Sequence, residues 1–357
     1  MTIFDTTPPA VSEATASPGQ GAGDLVVPEA APTKKGKRKR KIAALLILLV
    51  IFALLFGWYL MNRKPLTELP GLSSTKLPHY QFSIYGTTHP LGVVANASGD
   101  RIYVTESDGD RVVRAYDKAG KPAGILTPPK STGLSHSPVY VAINPTTQNV
   151  YVSDRYTASI YVYDEKGTFL RTFAPKGDLG GKFNPLGLAF GSDGTLYATD
   201  VRAPGNKTHR VLSFAPDGTV LRFMGKPGQL NFPNGIVVDA HGNIEVTDSN
   251  NGRLVVFNAA GKMLATISSG IGEGDLGLPR GVAVDDSGRL FVADTADHMV
   301  RVYLIGDSKA TPAYIGSFGG EGQLDGTFEY PNGVATDARA HIYVTDRENN
   351  RVQVWGY

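Results

Sequence analysis

Short apolar runs alternate with polar turns from His79 to the end of the chain, and they recur in a fixed order. Each copy begins with Pro-x-Gly and an apolar run, passes through a polar turn, and enters a second apolar run that ends in Asp. A third run follows, ends in an aromatic residue, and leads into a final run such as residues 167–173. Short runs bounded by Gly, Asn and Asp predict β-strands joined by tight turns. The leading prolines, 46 to 52 residues apart, are Pro90, Pro138, Pro185, Pro233, Pro279 and Pro331.

Six copies of four strands predict an all-β fold, a six-bladed β-propeller. The chain stops at Tyr357, directly after a third run, so the last copy lacks its outer strand. Residues 81–86 match residues 314–319 of the fifth copy in character. We therefore expect the N-terminal strand to complete the last blade, which closes the ring without leaving a long edge strand exposed.

The copies resemble the NHL repeat, whose consensus approximates P-x-G-V-A-V-D-x-x-G-x-I-Y-V-A-D-x-x-N-x-R-V-x-V-F. Residues 233–257 follow this pattern most closely, and the resemblance extends over residues 79–357. It implies a propeller whose blades each hold four antiparallel strands. The departures from the pattern are Glu106 in place of Asp, Tyr140 in place of Gly and Met299 in place of Arg.

Residues 42–61 carry no charged side chain, and as a helix they are long enough to cross a hydrocarbon core. Seven Lys and Arg precede this segment, and Arg63 and Lys64 follow it. The positive-inside rule then predicts a single-pass membrane protein with a cytoplasmic N-terminus and an extracytoplasmic propeller. A cleaved signal peptide is the alternative, but no small-x-small site follows Met61. The missing cysteines and bare anchor favour a bacterial plasma membrane.

The predicted organisation has four parts. Residues 1–41 form a disordered cytoplasmic tail that ends in a basic run, because they hold too few large apolar residues to fold. Residues 42–61 form the transmembrane helix, residues 62–78 a short stalk, and residues 79–357 the propeller. We expect the basic run to set topology and to contact anionic lipid headgroups.

Composition removes several classes of function. Nine of the 35 Lys and Arg and four of the 33 Asp and Glu lie in residues 1–64, so 26 basic and 29 acidic residues remain in 65–357. A slightly acidic propeller lacks the basic footprint of a general nucleic-acid binder, and we expect no nucleic-acid partner. The chain has no cysteine, which excludes thiolate catalysis, disulfides and cysteine-based zinc sites.

The Asp that ends each second run recurs in nearly every copy, which points to a structural role. Such a carboxylate can accept backbone N–H groups or pair with an arginine of the third run. The residues are Asp154, Asp200, Asp248, Asp294 and Asp346. We therefore look for function among the residues that depart from the repeat.

Two features mark the Pro-x-Gly face of the propeller as the candidate binding surface. The loop after Asp200 is longer than its counterparts, with residues 202–209 as an insertion. The residues after the leading prolines should surround the channel mouth, three apolar (Leu91, Val139, Leu186) and three polar. The candidate ligand-binding residues are Arg155, Arg202, Asn234, Arg280, Asn332 and Arg347. Arginines suit a carboxylate, phosphate or sugar group, although they can also simply pair with nearby acids such as Asp154, Asp346 and Glu348.

Six-bladed propellers include lactonases, hydrolases and lyases, which resemble one another in holding a metal at the central channel. The seven histidines here are scattered over loops and turns, and none follows a leading proline. We predict no catalytic residue, metal ligand or cofactor. The sequence favours a module that binds a protein, peptide or glycan. A metal-dependent hydrolase or lyase and an envelope-complex assembly factor remain as alternatives.

Overall fold

A computed structural model of the chain describes residues 41, 43–54, 56, 77–129, 135–202, 208–267, 272, 274–306 and 311–357. The chain divides into two compact units, residues 1–54 and residues 55–357.

The first unit contains a helix over residues 43–54, in which every residue is exposed. Within the described part of the chain, no helix combines the length and the apolarity needed to cross a membrane. The transmembrane helix predicted for residues 42–61 is therefore unconfirmed, and residues 42, 55 and 57–61 lie outside the described residues. Residues 1–40 of the predicted tail and 62–76 of the predicted stalk also lie outside them.

The second unit is built from six four-stranded antiparallel sheets, which confirms the predicted number of blades. Blade 1 holds β2 (Pro90–Ala95), β3 (Arg101–Glu106), β4 (Val113–Asp117) and β5 (Pro122–Leu126). Blade 2 holds β6 (Pro138–Ile143), β7 (Val150–Asp154), β8 (Ser159–Tyr163) and β9 (Phe169–Thr172). Blade 3 holds β10 (Pro185–Phe190), β11 (Leu196–Asp200), β12 (Arg210–Phe214) and β13 (Val220–Met224).

The remaining blades repeat the same arrangement. Blade 4 holds β14 (Pro233–Val238), β15 (Ile244–Asp248), β16 (Arg253–Phe257) and β17 (Met263–Ile267), with a 3₁₀ turn at Ser249–Asn251. Blade 5 holds β18 (Pro279–Val284), β19 (Arg289–Asp294), β20 (Met299–Leu304) and β21 (Ala313–Gly319). Blade 6 holds β22 (Pro331–Thr336), β23 (Ile342–Asp346), β24 (Arg351–Gly356) and, as its outer strand, β1 (His79–Tyr85).

The N-terminal strand closes the ring, as the sequence predicts. β1 pairs antiparallel with β24, and Ile84 lies opposite Val352. The six inner strands contact one another in succession, and the contact between β22 and β2 completes the circle. Each inner strand begins at a leading proline, where a missing N–H is tolerated in a sheet.

Burial is most complete in the second strands and least complete in the outer strands. The second strands β7, β11, β15 and β23 are buried along their whole length, whereas the outer strand β9 is exposed throughout. Apolar side chains fill the space between neighbouring sheets, as Ile160 and Phe173 of blade 2 do against Leu188 and Leu212 of blade 3. Burial of each such side chain contributes roughly 1.5–3 kcal/mol, so the face-to-face sheets form the core.

The glycine of Pro-x-Gly allows neighbouring inner strands to approach closely. A Cβ atom at Gly187 would lie 2.0 Å from the carbonyl oxygen of Asn234, and one at Gly333 would lie 2.4 Å from that of Leu91. Any larger residue would force these strands apart. Blade 2 carries Tyr140 at the corresponding position, and that exception shapes the channel mouth.

Hydroxyl groups connect five of the six blades to the next at this same level. In these blades, the Ser or Thr just before the terminal acid of the second strand donates to the carbonyl of the post-proline residue in the following blade, whereas blade 5 has Ala293 in this place. The bridges join Thr105 to Val139 at 2.7 Å, Ser153 to Leu186 at 2.6 Å, Thr199 to Asn234 at 3.1 Å and Thr345 to Leu91 at 2.9 Å, and Thr247 bonds Arg280 in the same way. We call these the inter-blade hydroxyl bridges. They hold the residues that surround the channel mouth in place.

Candidate functional site

The channel mouth on the Pro-x-Gly face has an apolar half and a polar half. Val139 and Leu186 are buried and cluster with Tyr140, and Leu91 packs against them. Asn234 and Asn332 are 2% and 5% exposed, and Arg280 is half-buried. All six post-proline residues occupy the second position of their inner strands, and these strands contact one another in succession around the ring.

Tyr140 joins the two halves. Its hydroxyl, supplied by blade 2, donates a 3.1 Å hydrogen bond to Oδ1 of Asn234 in blade 4. Burial raises the pKa of Tyr140, and the positive charge of Arg280 acts in the opposite direction. The Tyr140 side chain therefore reaches across the mouth to blade 4.

Two donor atoms in the polar half have no partner. Nδ2 of Asn234 and Nε of Arg280 are both shielded from solvent and donate to no acceptor within the described structure. Among the described residues, no carboxylate forms an ion pair with Arg280. Polar atoms in such surroundings are nearly always hydrogen-bonded in folded proteins, and these two are among ten buried side-chain atoms of the described residues that are not.

The other candidate arginines differ in their pairing. Arg202 donates to Oδ2 of Asp200 at 2.9 Å, and Arg347 pairs with Glu348 at 2.7 Å. Arg155 is exposed and forms no ion pair with another described residue. The pairing alternative therefore holds for Arg202 and Arg347, whereas Arg155 and Arg280 retain free charge on this face.

A cleft of about 360 Å³ lies beside the apolar half of the mouth, between the loops of blades 2, 3 and 4. Its lining includes Arg155, Tyr156, Asn184, Leu186, Arg202 and Phe232. The guanidinium of Arg111 lies 5.4 Å from the centre of the Tyr156 ring, which adds positive charge to the rim. The aromatic residues escape sequence reasoning because Tyr156 and Phe232 occupy ordinary loop positions of the repeat.

The inserted loop begins and ends next to this cleft. The backbone N–H of Arg202 donates to Nδ1 of His209 at 3.0 Å. Burial lowers the pKa of His209, which favours the neutral imidazole that this hydrogen bond requires. Residues 203–207 of the predicted insertion lie outside the described residues.

The recurring acids have structural roles. Buried Asp200 accepts the backbone N–H of Asn184 at 2.8 Å and the guanidinium of Arg210 at 2.9 Å, and Asp346 accepts corresponding bonds from Glu329 and Arg351. The bonded carboxylates hold the segment before each leading proline. Blade 2 has no arginine in this place, and Nδ1 of His136 lies 3.1 Å from Asp154 instead.

The described residues offer few ligands for a metal ion. Among the residues that the structure describes, no group of three or more His, Asp and Glu side chains comes close enough to hold a metal ion. Further along the channel, a cavity of about 280 Å³ is lined mainly by aliphatic residues such as Val94, Ala142 and Val237. At the channel mouth, Arg280 and Asn234 instead offer unpartnered hydrogen-bond donors.

The NHL repeat is found directly in half of the blades. Its family profile matches residues 230–257, 276–303 and 328–355, which correspond to blades 4, 5 and 6. The chain is thus a six-bladed β-propeller whose blades 4 to 6 match the NHL repeat, and blades 1 to 3 have the same four-stranded architecture.

Comparisons with known proteins agree with this fold. NHL repeat-containing protein 3 of Mus musculus is 27% identical over 134 residues, which are 34% of this chain and only 38% of that protein. The virginiamycin B lyase of Staphylococcus aureus is similar in structure, with a TM-score of 0.54 at 12% identity over 79% of this chain and 99% of the lyase. The aldose sugar dehydrogenase of Streptomyces coelicolor, in its PQQ-bound form, has a TM-score of 0.57 at 16% identity over 78% and 98% of the two chains. At these identities, the structural similarities concern the fold alone.

Proposed function

We propose that this NHL propeller is a binding module whose Pro-x-Gly face recognises a protein, peptide or glycan. The main observation in support of this function is that Arg155 and Arg280 on this face form no ion pair with another described residue, whereas Arg202 and Arg347 do. Unpaired arginines beside the exposed Tyr156 and the cleft offer both charge and apolar contact area. Arginine and tyrosine are enriched among the residues that dominate binding interfaces.

We further propose that a single membrane helix anchors the propeller, with the N-terminus in the cytoplasm. The charge-free stretch at residues 42–61 and the seven basic residues before it support this topology. A helix that is apolar on all sides, as residues 43–54 are, is typical of a core or membrane environment. Washing membranes with alkaline carbonate tests the anchor, because an integral protein stays in the pellet. Protease added to intact cells tests the orientation, because it should digest the propeller and spare the tail.

Partner capture from intact cells tests the binding function. The full chain is crosslinked to its neighbours and isolated, and the same is done with Arg155→Glu. We expect the reversal to abolish capture without lowering the melting temperature, because Arg155 is exposed and unpaired. Arg202 is unsuitable for this test, since its reversal would place a second negative charge beside buried Asp200.

The matched control is Arg339→Glu at the opposite end of the strands, where Arg339 pairs with exposed Asp100 at 2.7 Å. Equal capture by the wild type and by both variants would contradict the proposal. Deleting residues 1–33 separates it from an assembly role. A binding propeller keeps its partner in that deletion, whereas an assembly factor that recruits through its tail loses it.

A further inference from the structure

We infer that the channel mouth binds a carboxylate group carried by an apolar body, held by Arg280 and Asn234 and oriented by Tyr140. The inference deepens the proposed binding function, on which it rests, by naming the chemistry of the ligand. It concerns the centre of the face, not the neighbouring cleft that contains Arg155.

The polar half of the mouth offers donors in positions fixed by the fold. The Tyr140 hydroxyl occupies Oδ1 of Asn234, so the side-chain amide presents Nδ2 as a free donor. The backbone carbonyl of Asn234 is also occupied, by the hydroxyl of Thr199 at 3.1 Å. Arg280 can only donate. A group that completes this site must therefore accept hydrogen bonds.

The same residues call for negative charge. A guanidinium group that is half-buried without a counter-charge is unfavourable, and the cost falls when an anion is bound beside it. The recurring acids on this face are already engaged by backbone N–H groups and by other basic side chains. The anion therefore has to come from a ligand.

A carboxylate matches the site better than a phosphate. One guanidinium balances a single negative charge, and its planar pair of donors fits the two oxygens of a carboxylate. A phosphate dianion would bring excess charge next to Leu91, Val139 and Leu186, where it loses hydration without gaining a cation. These three aliphatic residues instead provide a surface for an apolar body attached to the carboxylate.

Calorimetric titration of the full chain in non-ionic detergent tests the inference. The probes are N-acetyl-L-leucine, its neutral amide N-acetyl-L-leucinamide, and inorganic phosphate. We expect saturable binding of N-acetyl-L-leucine, and binding of the amide and of phosphate that is weaker by roughly ten-fold or more. A peptide with a free C-terminal leucine, compared with its amidated form, distinguishes a peptide ligand from a small organic acid.

Three variants assign the contacts. Arg280→Gln should weaken binding of N-acetyl-L-leucine by roughly ten-fold or more. Asn234→Leu should also weaken binding, and it provides the test if Arg280→Gln fails to fold. Tyr140→Phe, which releases the Asn234 amide, should weaken it by less. Arg339→Gln is the charge-matched control and should bind as the wild type does.

Failure of the inference can be told apart from failure of the binding function. No saturable binding of N-acetyl-L-leucine, equal binding of the amide, or unchanged affinity in folded Arg280→Gln each overturns the carboxylate site. The propeller can still be a binding module in that case, provided that partner capture depends on Arg155. Conversely, carboxylate binding without Arg155-dependent capture supports the site and contradicts the macromolecular partner.

Discussion

At the scale of single residues, Glu245 is the most unusual occupant of a repeated position. Its counterparts opposite the inner strand are aromatic in the five other blades: Tyr103, Tyr151, Tyr197, Phe291 and Tyr343. Glu245 is 1% exposed, and its Oε2 has no partner in the described structure. Burial raises the pKa of Glu245 well above its ordinary value of 4.5, and the carboxylate of Asp239 acts in the same direction.

This carboxyl should make stability depend on pH. Because the folded state holds the proton more tightly than the unfolded state, unfolding free energy falls as pH rises from about 4.5 towards the raised pKa. The loss is about 1.4 kcal/mol for each pH unit inside that window. We expect Glu245→Gln to flatten the dependence and to raise the melting temperature at neutral pH.

Thermal melts of the wild type and Glu245→Gln between pH 4 and 8, in steps of about one unit, measure this effect. Glu165→Gln in an exposed turn is the control for removing one carboxyl group. Parallel curves for the wild type and Glu245→Gln would show that Glu245 does not titrate differently in the two states.

Two arginines should respond in opposite ways to the same substitution. Arg351 is 4% exposed and pairs with Asp346 at 2.7 Å and with Asp325 at 3.1 Å. Replacing it leaves buried carboxylates uncompensated, so Arg351→Gln should lower the unfolding free energy by about 3–5 kcal/mol. Arg280→Gln removes a cation without an ion-pair partner, and in ligand-free protein we expect no loss of stability. Denaturant unfolding of both variants decides this, and a comparable loss in Arg280→Gln would mean that Arg280 has a structural partner.

At the scale of elements, the strands were predictable because their pattern is local. Leading prolines, tight turns and apolar runs follow from neighbouring residues, and all six inner strands begin where the prolines predict. The contacts of Tyr140 were not predictable in this way. Its departure from glycine is visible in the sequence, but its partner Asn234 lies 94 residues away and two blades further on. The inter-blade hydroxyl bridges were missed for the same reason.

One of these bridges provides a test of how the blades are held together. The hydroxyl of Thr247 bonds the carbonyl of Arg280 and accepts the N–H of Gly235 at 2.7 Å, and Thr247 is fully buried. Thr247→Val keeps the shape but leaves both backbone groups without a partner, so we expect a loss of about 1–3 kcal/mol. Chemical denaturation measures the loss. Thr172→Val on the exposed strand β9 serves as the control and should change little.

At the scale of the whole molecule, the number of blades could be predicted because two independent features agree. The repeat spacing gives six copies. The outer strand that the sixth copy lacks is supplied by β1, the first strand of the propeller, which pairs with β24 in blade 6. The sequence could predict which face binds a ligand, but not which of its arginines are free to do so. Arg202 and Arg280 are both candidates in the sequence, yet Arg202 pairs with Asp200 and Arg280 has no such partner among the described residues. That difference depends on packing between blades, which a sequence pattern does not specify.

The remaining question at this scale is whether the propeller is a binding module or a metal-dependent enzyme. The fold is shared with a lyase and a dehydrogenase, and a metal in such a channel would need several oxygen or nitrogen ligands. The described channel offers mostly aliphatic side chains and donors that repel a cation. We therefore expect EDTA to leave the melting temperature of the full chain unchanged, and we expect elemental analysis to find less than one metal ion per chain.

A stoichiometric metal together with a lower melting temperature after chelation would instead show that the ion stabilises the fold, because a ligand that binds only the folded state raises its stability. In that case the hydrolase or lyase alternative would take precedence, and Arg280 would have to be reconsidered as a group that binds a substrate anion beside the metal.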